Sequence, residues 1–293
     1  MYLNYYNFRE EPFNITPDPK FYFLSNQHEA AIESLLYGIE SRRGFMTLIG
    51  DVGTGKTTTC RTLLNRLPKN VDTSLIFNPM LSILELLQSI NDDFDNKDAV
   101  KDTVKGQIDA LNNFLLRRLR WGKNAVVIID EAQNLSIEAM EMMRLLSNLE
   151  TDNKKLLQII FIGQNELIPK LSAPDLRQLN QRIIIRCRLT PLAYPDLVRY
   201  VEHRLQVASF NGQATVKFAQ KALLKIYEYC QGTPRLANLL CDRLLMEGFA
   251  EKTNLVNVEM VKNAILDLEQ PLSLAGAVMK KKESWQIWKN FFF

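Results

Sequence analysis

Histidine is nearly absent from this chain. Only His28 and His203 occur among 293 residues, too few for a metal site built from imidazoles. Cysteine is scarce as well. Cys60, Cys187, Cys230 and Cys241 form no CxxC pair and fit no common zinc spacing, so they read as reduced, buried thiols of a reducing compartment. Neither charge dominates: 36 Lys and Arg stand against 33 Asp and Glu, a net charge of +3, whereas a dedicated nucleic-acid binder carries a larger basic surplus. No apolar run in the sequence reaches the roughly 18 residues of a membrane-spanning helix. The opening "MYLNYYNFREEPF" lacks the basic-then-apolar order of a signal peptide. No internal repeat or low-complexity segment interrupts the chain.

What is present is alternation. Short β-branched or aromatic runs, "FMTLI" (45–49), "TSLIF" (73–77), "AVVIID" (125–130), "LQIIFIG" (157–163) and "IIIRCRL" (183–189), are separated by stretches such as "KTTTCRTLLNRL" and "SIEAMEMMRLLSNLE" with apolar residues at helical spacing. Strand–helix–strand alternation predicts an α/β fold, a parallel sheet covered by helices. After about residue 190 the strand patterns stop and four helical patterns follow, a helical domain of roughly 80 residues. The expected division is therefore 1–190 for an N-terminal segment and α/β core, 191–270 for a helical lid, and 271–293 for a basic and aromatic tail.

Two motifs carry chemistry. Gly50, Asp51, Val52, Gly53, Thr54, Gly55, Lys56 and Thr57 match G-x-x-x-x-G-K-[ST] between a strand pattern and a helix pattern, the context a phosphate-binding P-loop requires. Backbone N–H groups of such a loop, continued into the helix at Thr58, face phosphate oxygens. Lys56 reaches the β- and γ-phosphates, and the Thr57 hydroxyl ligates Mg²⁺. The second motif is "AVVIIDEAQNL", where Asp130 and Glu131 end an apolar strand pattern about 75 residues further on. A carboxylate there holds the Mg²⁺ shell, and its neighbour orients the attacking water. Together they imply ATP as the nucleotide, Mg²⁺ as the metal and hydrolysis as the reaction. Gln164 follows the fourth strand pattern and faces the same crevice. Arg177 and Arg182, in "APDLRQLNQRIII", are candidates for an arginine finger entering a neighbouring subunit's site, and Arg182 is favoured because it abuts the fifth strand pattern. Arg235, in "GTPRLANLL", opens a helix of the second domain and reaches across the cleft. Arg117, Arg118, Arg120 and Lys123 form a basic cluster that either touches nucleic-acid phosphates or is a solvated helix end.

These blocks, in this order and spacing, resemble AAA+ ATPases, and within them the ExeA/GspA-like group of bacterial type II secretion. The resemblance runs from the N-terminus to about residue 270. It rests on "EPFNITPDPKFYFLSNQHEAAIESLLYGI", "GDVGTGKTTTCRTLL", "VVIIDEAQNLSIEAMEMMRLLSNLE", "LLQIIFIGQNEL", "LRQLNQRI" with "LTPL", and "GTPRLANLLCDRLL". It implies five parallel strands, a helical lid, and a homo-oligomeric ring or filament with ATP at subunit boundaries. Gln164 is then similar to the sensor 1 position and Arg235 to sensor 2. The block with Phe21, Tyr22 and His28 is similar to the segment packed near the adenine. The group also implies an inner-membrane secretion partner and a place on the cytoplasmic face of that membrane. The order of lysines and aromatics in "MKKKESWQIWKNFFF" fits the flank of a membrane span, an interfacial anchor, or a tail packed on another subunit. A competing resemblance, to TniB/TnsC-like transposition ATPases, implies DNA as a partner, and a slowly hydrolysing nucleotide-gated scaffold is a third expectation.

Overall fold

The computed structural model describes residues 2–16, 18–77, 79–99 and 102–269. The basic and aromatic tail, 271–293, lies outside the described residues. Five parallel strands form the central sheet: β1 (Phe45–Gly50), β2 (Val71–Ile76), β3 (Asn124–Ile129), β6 (Gln158–Gly163) and β7 (Ile183–Leu189), in the spatial order β2-β3-β6-β1-β7. A two-strand hairpin, β4 (Glu150–Thr151) and β5 (Lys154–Lys155), precedes β6.

Composition tracks position in the sheet. The three inner strands β1, β3 and β6 are buried at every residue, as expected when helices cover both faces. The edge strand β7 instead alternates, with Ile184, Arg186 and Arg188 turned outward, and β2 is only partly buried. β2 starts at Val71, earlier than its apolar pattern, because Val71 and Asp72 pair with Asn124 and Ala125. It stops before Phe77, which is exposed.

Helices α2 (Asn26–Glu40) and α3 (Lys56–Arg66) bury Ile32, Leu35 and Leu63 against Met46, Leu48 and Ile160. The opposite face takes α4 (Ile83–Asp93), α5 (Val104–Arg120) and α6 (Ile137–Leu146). Each of these three starts on a side-chain cap: Ser82 with Glu85 in a reciprocal box, Thr103, and Ser136. Short helices α7 (Leu167–Leu171) and α8 (Arg177–Arg182) lead into β7.

The C-terminal region comprises α9 (Tyr194–Ala208), α10 (Gln220–Cys230), α11 (Pro234–Ala250) and α12 (Val258–Glu269), with one two-residue parallel pair, β8 (Lys217–Phe218) and β9 (Leu255–Val256). Its core is not built from these helices alone. Tyr2 and Tyr6 of α1 (Tyr2–Tyr6), then Phe8, Phe13 and Phe21, belong to the same apolar cluster. Tyr2 donates to Asp242 at 2.7 Å, Arg9 N–H to Ala208 O at 2.8 Å, and buried Arg204 to the carbonyls of Pro12 and Asn14. The first residues of the chain, through Phe13, thus pack on the helical region, and the turn Pro19–Phe21 lies between α9 and α3 of the α/β core. Among the described residues, no helix is long and apolar enough to cross a membrane.

Candidate nucleotide site

The carboxyl ends of β1, β3 and β6 converge. The chain leaves β1 for the far edge, returns through β3 and β6, and then crosses to β7. This reversal opens a crevice at the strand ends, where open α/β sheets hold ligands.

The loop after β1 is wound tightly. Thr54 Oγ1 donates to Asp51 O at 2.8 Å. Gly53 and Gly55 have φ of +78° and +96°, angles that cost a side-chain-bearing residue steric strain. Lys56 opens α3, is buried, and donates from Nζ to Gly50 O at 2.9 Å and Asp51 O at 3.0 Å. Burial lowers its pKa, against the pull of Glu131, Asp130 and Asp51. His28 braces the loop from α2: Nδ1 pairs with Ser25 Oγ at 2.6 Å and Nε2 with Thr54 O at 3.0 Å. Burial lowers its pKa too, and a neutral ring protonated on Nε2 satisfies both contacts. Tyr22 bonds Thr59 Oγ1 at 2.9 Å and meets His28 edge-on. Tyr22 and His28 therefore secure the P-loop, while Phe21 packs in the helical cluster beneath Arg204.

Thr57 Oγ1 lies 3.2 Å from Asp130 Oδ2, across the gap between α3 and the end of β3. Burial raises the Asp130 carboxyl above its usual value, as does the Glu131 charge; the Glu131 N–H and the Thr57 hydroxyl act in the other direction. A hydroxyl and a carboxylate are hard oxygen donors that suit Mg²⁺. Among the described residues no cluster of three or more His, Cys, Asp or Glu side chains could cage a metal. A magnesium ion at Thr57 and Asp130 would complete its shell with phosphate and water, its usual preference.

Glu131 sits in the left-handed region, φ 52° and ψ 39°, a conformation that costs a non-glycine residue about 1 kcal/mol or more. Its Oε2 accepts from Gln164 Nε2 at 3.0 Å and also from Gln133 Nε2. Partial burial opposes ionisation, but these two amides and the Lys56 charge together hold the Glu131 carboxyl below its ordinary pKa. Gln133 stands inside the "DEAQ" stretch, yet its part was not legible, because a 3-10 turn (Ala132–Asn134) folds it back over Glu131.

Arg235 enters from the helical region. An ideal Cβ on Gly53 would lie 2.6 Å from Arg235 Cβ, so α11 starts directly against the P-loop. A cavity of about 360 Å³ opens between them. It is lined by Val52 to Thr58, Glu131, Gln164 and Arg235, and also by Asn14 to Thr16, Tyr200, Arg204 and Asn238. Sequence spacing gave no hint of the latter group. Tyr200 donates to Asn238 at 2.6 Å and accepts from Arg204 at 3.0 Å, which fixes this wall. A wider recess of about 960 Å³ beside Arg42 and the β4–β5 hairpin contains none of the P-loop residues.

The two finger candidates differ. Arg182 is held within its own chain: Nη1 donates to Ser147 Oγ at 2.9 Å and to Asn148 Oδ1, closing the C-terminus of α6. Arg177, the first residue of α8, is exposed. The basic cluster is largely paired: Arg117 with Asp98 at 2.6 Å, Arg118 with Asp72, and Lys123 with Asp72 at 3.5 Å. Arg118 also lies over the Phe114 and Trp121 rings. Cations in the last turn of α5 complement its dipole.

Residues 39–171 match the model of the family described as AAA domain. The whole chain is 44% identical to general secretion pathway protein A of Aeromonas hydrophila, and it spans 55% of that relative's length. Solved structures share the fold. The Aeropyrum pernix ORC2 protein superposes with a TM-score of 0.65 at 16% identity, over 89% of this chain and 72% of the other. The Drosophila ORC bound to DNA gives 0.67 at 19%, over 89% and 65%. The Thermotoga maritima RuvB Holliday junction branch migration motor gives 0.53 at 18%, over 82% and 69%. At such identities the likeness concerns the fold alone.

Proposed function

The chain belongs to the AAA+ P-loop proteins of the ExeA/GspA-like group, and from that premise we propose that it binds ATP with Mg²⁺ and hydrolyses it at a site completed by a second copy of the chain. The observation that carries this reading is the meeting of Thr57 and Asp130 at 3.2 Å, with Glu131 the next residue along. Backbone N–H groups from Gly50 to Thr58 face the phosphates, and Lys56 turns its ammonium from the Gly50 and Asp51 carbonyls to the β- and γ-oxygens. Bound Mg²⁺ neutralises charge on those oxygens. Glu131 takes the proton of the attacking water, Gln164 holds Glu131 and reaches the γ-phosphate, and Arg235 senses the same group from α11.

Between the two finger candidates, exposed Arg177 is the residue free to reach a neighbour. Arg182 is engaged with the end of α6. ATP-dependent assembly of a ring or filament follows from a finger supplied in trans. Kinship with general secretion pathway protein A supports a role at the inner membrane, in assembling a secretion envelope complex with a membrane partner. A DNA-directed role has less support, since Arg117, Arg118 and Lys123 are paired with carboxylates.

Equilibrium binding of a fluorescent ATP analogue tests the reading. Lys56→Ala removes the cation facing the phosphates and abolishes binding; wild-type affinity in that variant overturns the site. Salt-sensitive DNA binding in the presence of ATP would favour the DNA-directed role instead.

A further inference from the structure

Glu131 does not hold its own pose. Its backbone lies in the left-handed region at the end of β3, and its carboxylate is gathered on one side only. Gln164 Nε2 and Gln133 Nε2 both donate to Oε2. Oε1 has no donor among the described residues.

The second amide has the more telling geometry. While the Gln133 Nε2 amine points at Glu131, its Oε1 accepts from the backbone N–H of Gln164 at 3.1 Å. One side-chain amide therefore ties the end of β3 to the end of β6. Space is reserved for it: a Cβ added to Gly163, the last residue of β6, would stand 2.8 Å from Gln133 Oε1. The turn that presents Gln133 is pinned from behind, where Lys170 Nζ donates to Gln133 O at 2.8 Å and to Leu135 O.

We propose that Gln133 is a positioning residue for hydrolysis: its amide clamps Glu131 Oε2 and the Gln164 backbone together, and so turns Glu131 Oε1 toward the attacking water. The proposal rests on the reading of Glu131 as the base. Gln133 is not among the residues lining the cavity, and acts through Glu131 and Gln164. Loss of the clamp lets the carboxylate rotate about its side-chain torsions, and a misplacement of the order of 1 Å costs about 100-fold in rate.

Two substitutions separate the clamp from simple packing. Gln133→Glu keeps length and volume and still accepts from Gln164 N–H, but it replaces the donor to Glu131 with a second carboxylate. Gln133→Ala removes both bonds. The clamp predicts that kcat for ATP falls about 10- to 100-fold in both variants, at least as far in Gln133→Glu as in Gln133→Ala, with the dissociation constant of a fluorescent ATP analogue unchanged within about twofold. A packing role predicts near-normal kcat in Gln133→Glu and a lowered melting temperature in Gln133→Ala; that result overturns the proposal. Gly163→Ala is a third probe outside the clamp. The groups it crowds most are side-chain tips, Gln133 Oε1 at 2.8 Å and Leu167 Cδ2 at 3.0 Å, so the protein folds, the amide is displaced, and kcat falls. The Gly163→Ala/Gln133→Ala double variant is no slower than Gln133→Ala alone, and additive losses count against the clamp. Glu131→Gln run alongside keeps the two readings apart. Normal turnover there removes the base and the clamp with it. An inactive Glu131→Gln beside a fully active Gln133→Glu removes the clamp only.

Discussion

Arg204 is the bolt between the N-terminal segment and the helical region, and replacing it with methionine yields a number. The residue is 7% exposed. Its guanidinium donates to Pro12 O, to Asn14 O at 2.9 Å and to Tyr200 Oη at 3.0 Å, and lies 4.9 Å from the centre of the Phe21 ring. Methionine keeps the apolar stem and removes the charge. Asn14 is exposed, so its carbonyl regains water, and Tyr200 retains Asn238. Pro12 is buried, and an orphaned buried carbonyl costs about 1–3 kcal/mol. Loss of the cation–π contact adds about 1 kcal/mol. Removing the cation also relieves part of its own desolvation cost, which lowers the net to about 1–3 kcal/mol. For a chain of this size that is a melting-temperature drop of roughly 2–12 °C. Because Asn14 to Thr16 and Arg204 line the cavity, ATP affinity falls in parallel. Thermal unfolding with and without ATP measures both. A shift under about 1 °C with unchanged affinity would refute the idea that this contact fixes the cavity wall.

Other outcomes follow from the same geometry. Arg182→Ala lowers stability by about 1–2 kcal/mol, because the end of α6 loses its donors, whereas Arg177→Ala leaves melting unchanged and abolishes the rise of turnover per subunit with protein concentration. The opposite pattern would return the finger to Arg182. Burial pushes the Cys60 and Cys187 thiols up to about 12 and about 11, and Cys230 and Cys241 are raised by the same cause. The reactive thiolate forms only as pH climbs past these raised values, so native protein at pH 8 resists alkylation at all four cysteines, and mass spectrometry finds modification only after unfolding.

Legibility in the sequence followed chain distance. The P-loop and the "VVIIDEAQNL" block are each contiguous in sequence and join a strand pattern to a turn, which makes Thr57 and Asp130 legible as candidates, and the fold brings them to 3.2 Å. The three inner strands were legible because they are buried throughout, and the edge strands β2 and β7 from shorter β-branched runs. Contacts between distant segments left no periodic trace. Tyr2 with Asp242, Arg204 with Pro12, and Arg182 with Asn148 unite residues far apart in sequence, and spacing rules describe only neighbours on one helix or strand. For this reason no spacing shows that aromatic side chains from the start of the chain, grouped by sequence into 1–190, join the helical cluster. Gln133 escaped notice for a different reason: a glutamine in a loop has no distinguishing pattern until a turn folds it over Glu131. The pairing of Arg118 and Lys123 with Asp72 was hidden likewise, since Asp72 arrives from the neighbouring edge strand.

Whether Glu131, beside the P-loop, activates water on ATP is decided by Glu131→Gln. With enzyme in excess over ATP and Mg²⁺ saturating, single-turnover phosphate release and analogue binding are measured on the same preparation. The variant keeps wild-type affinity, and its phosphate release slows by about 100-fold or more, in keeping with loss of a general base. Phosphate release at the wild-type rate with intact binding would contradict that role.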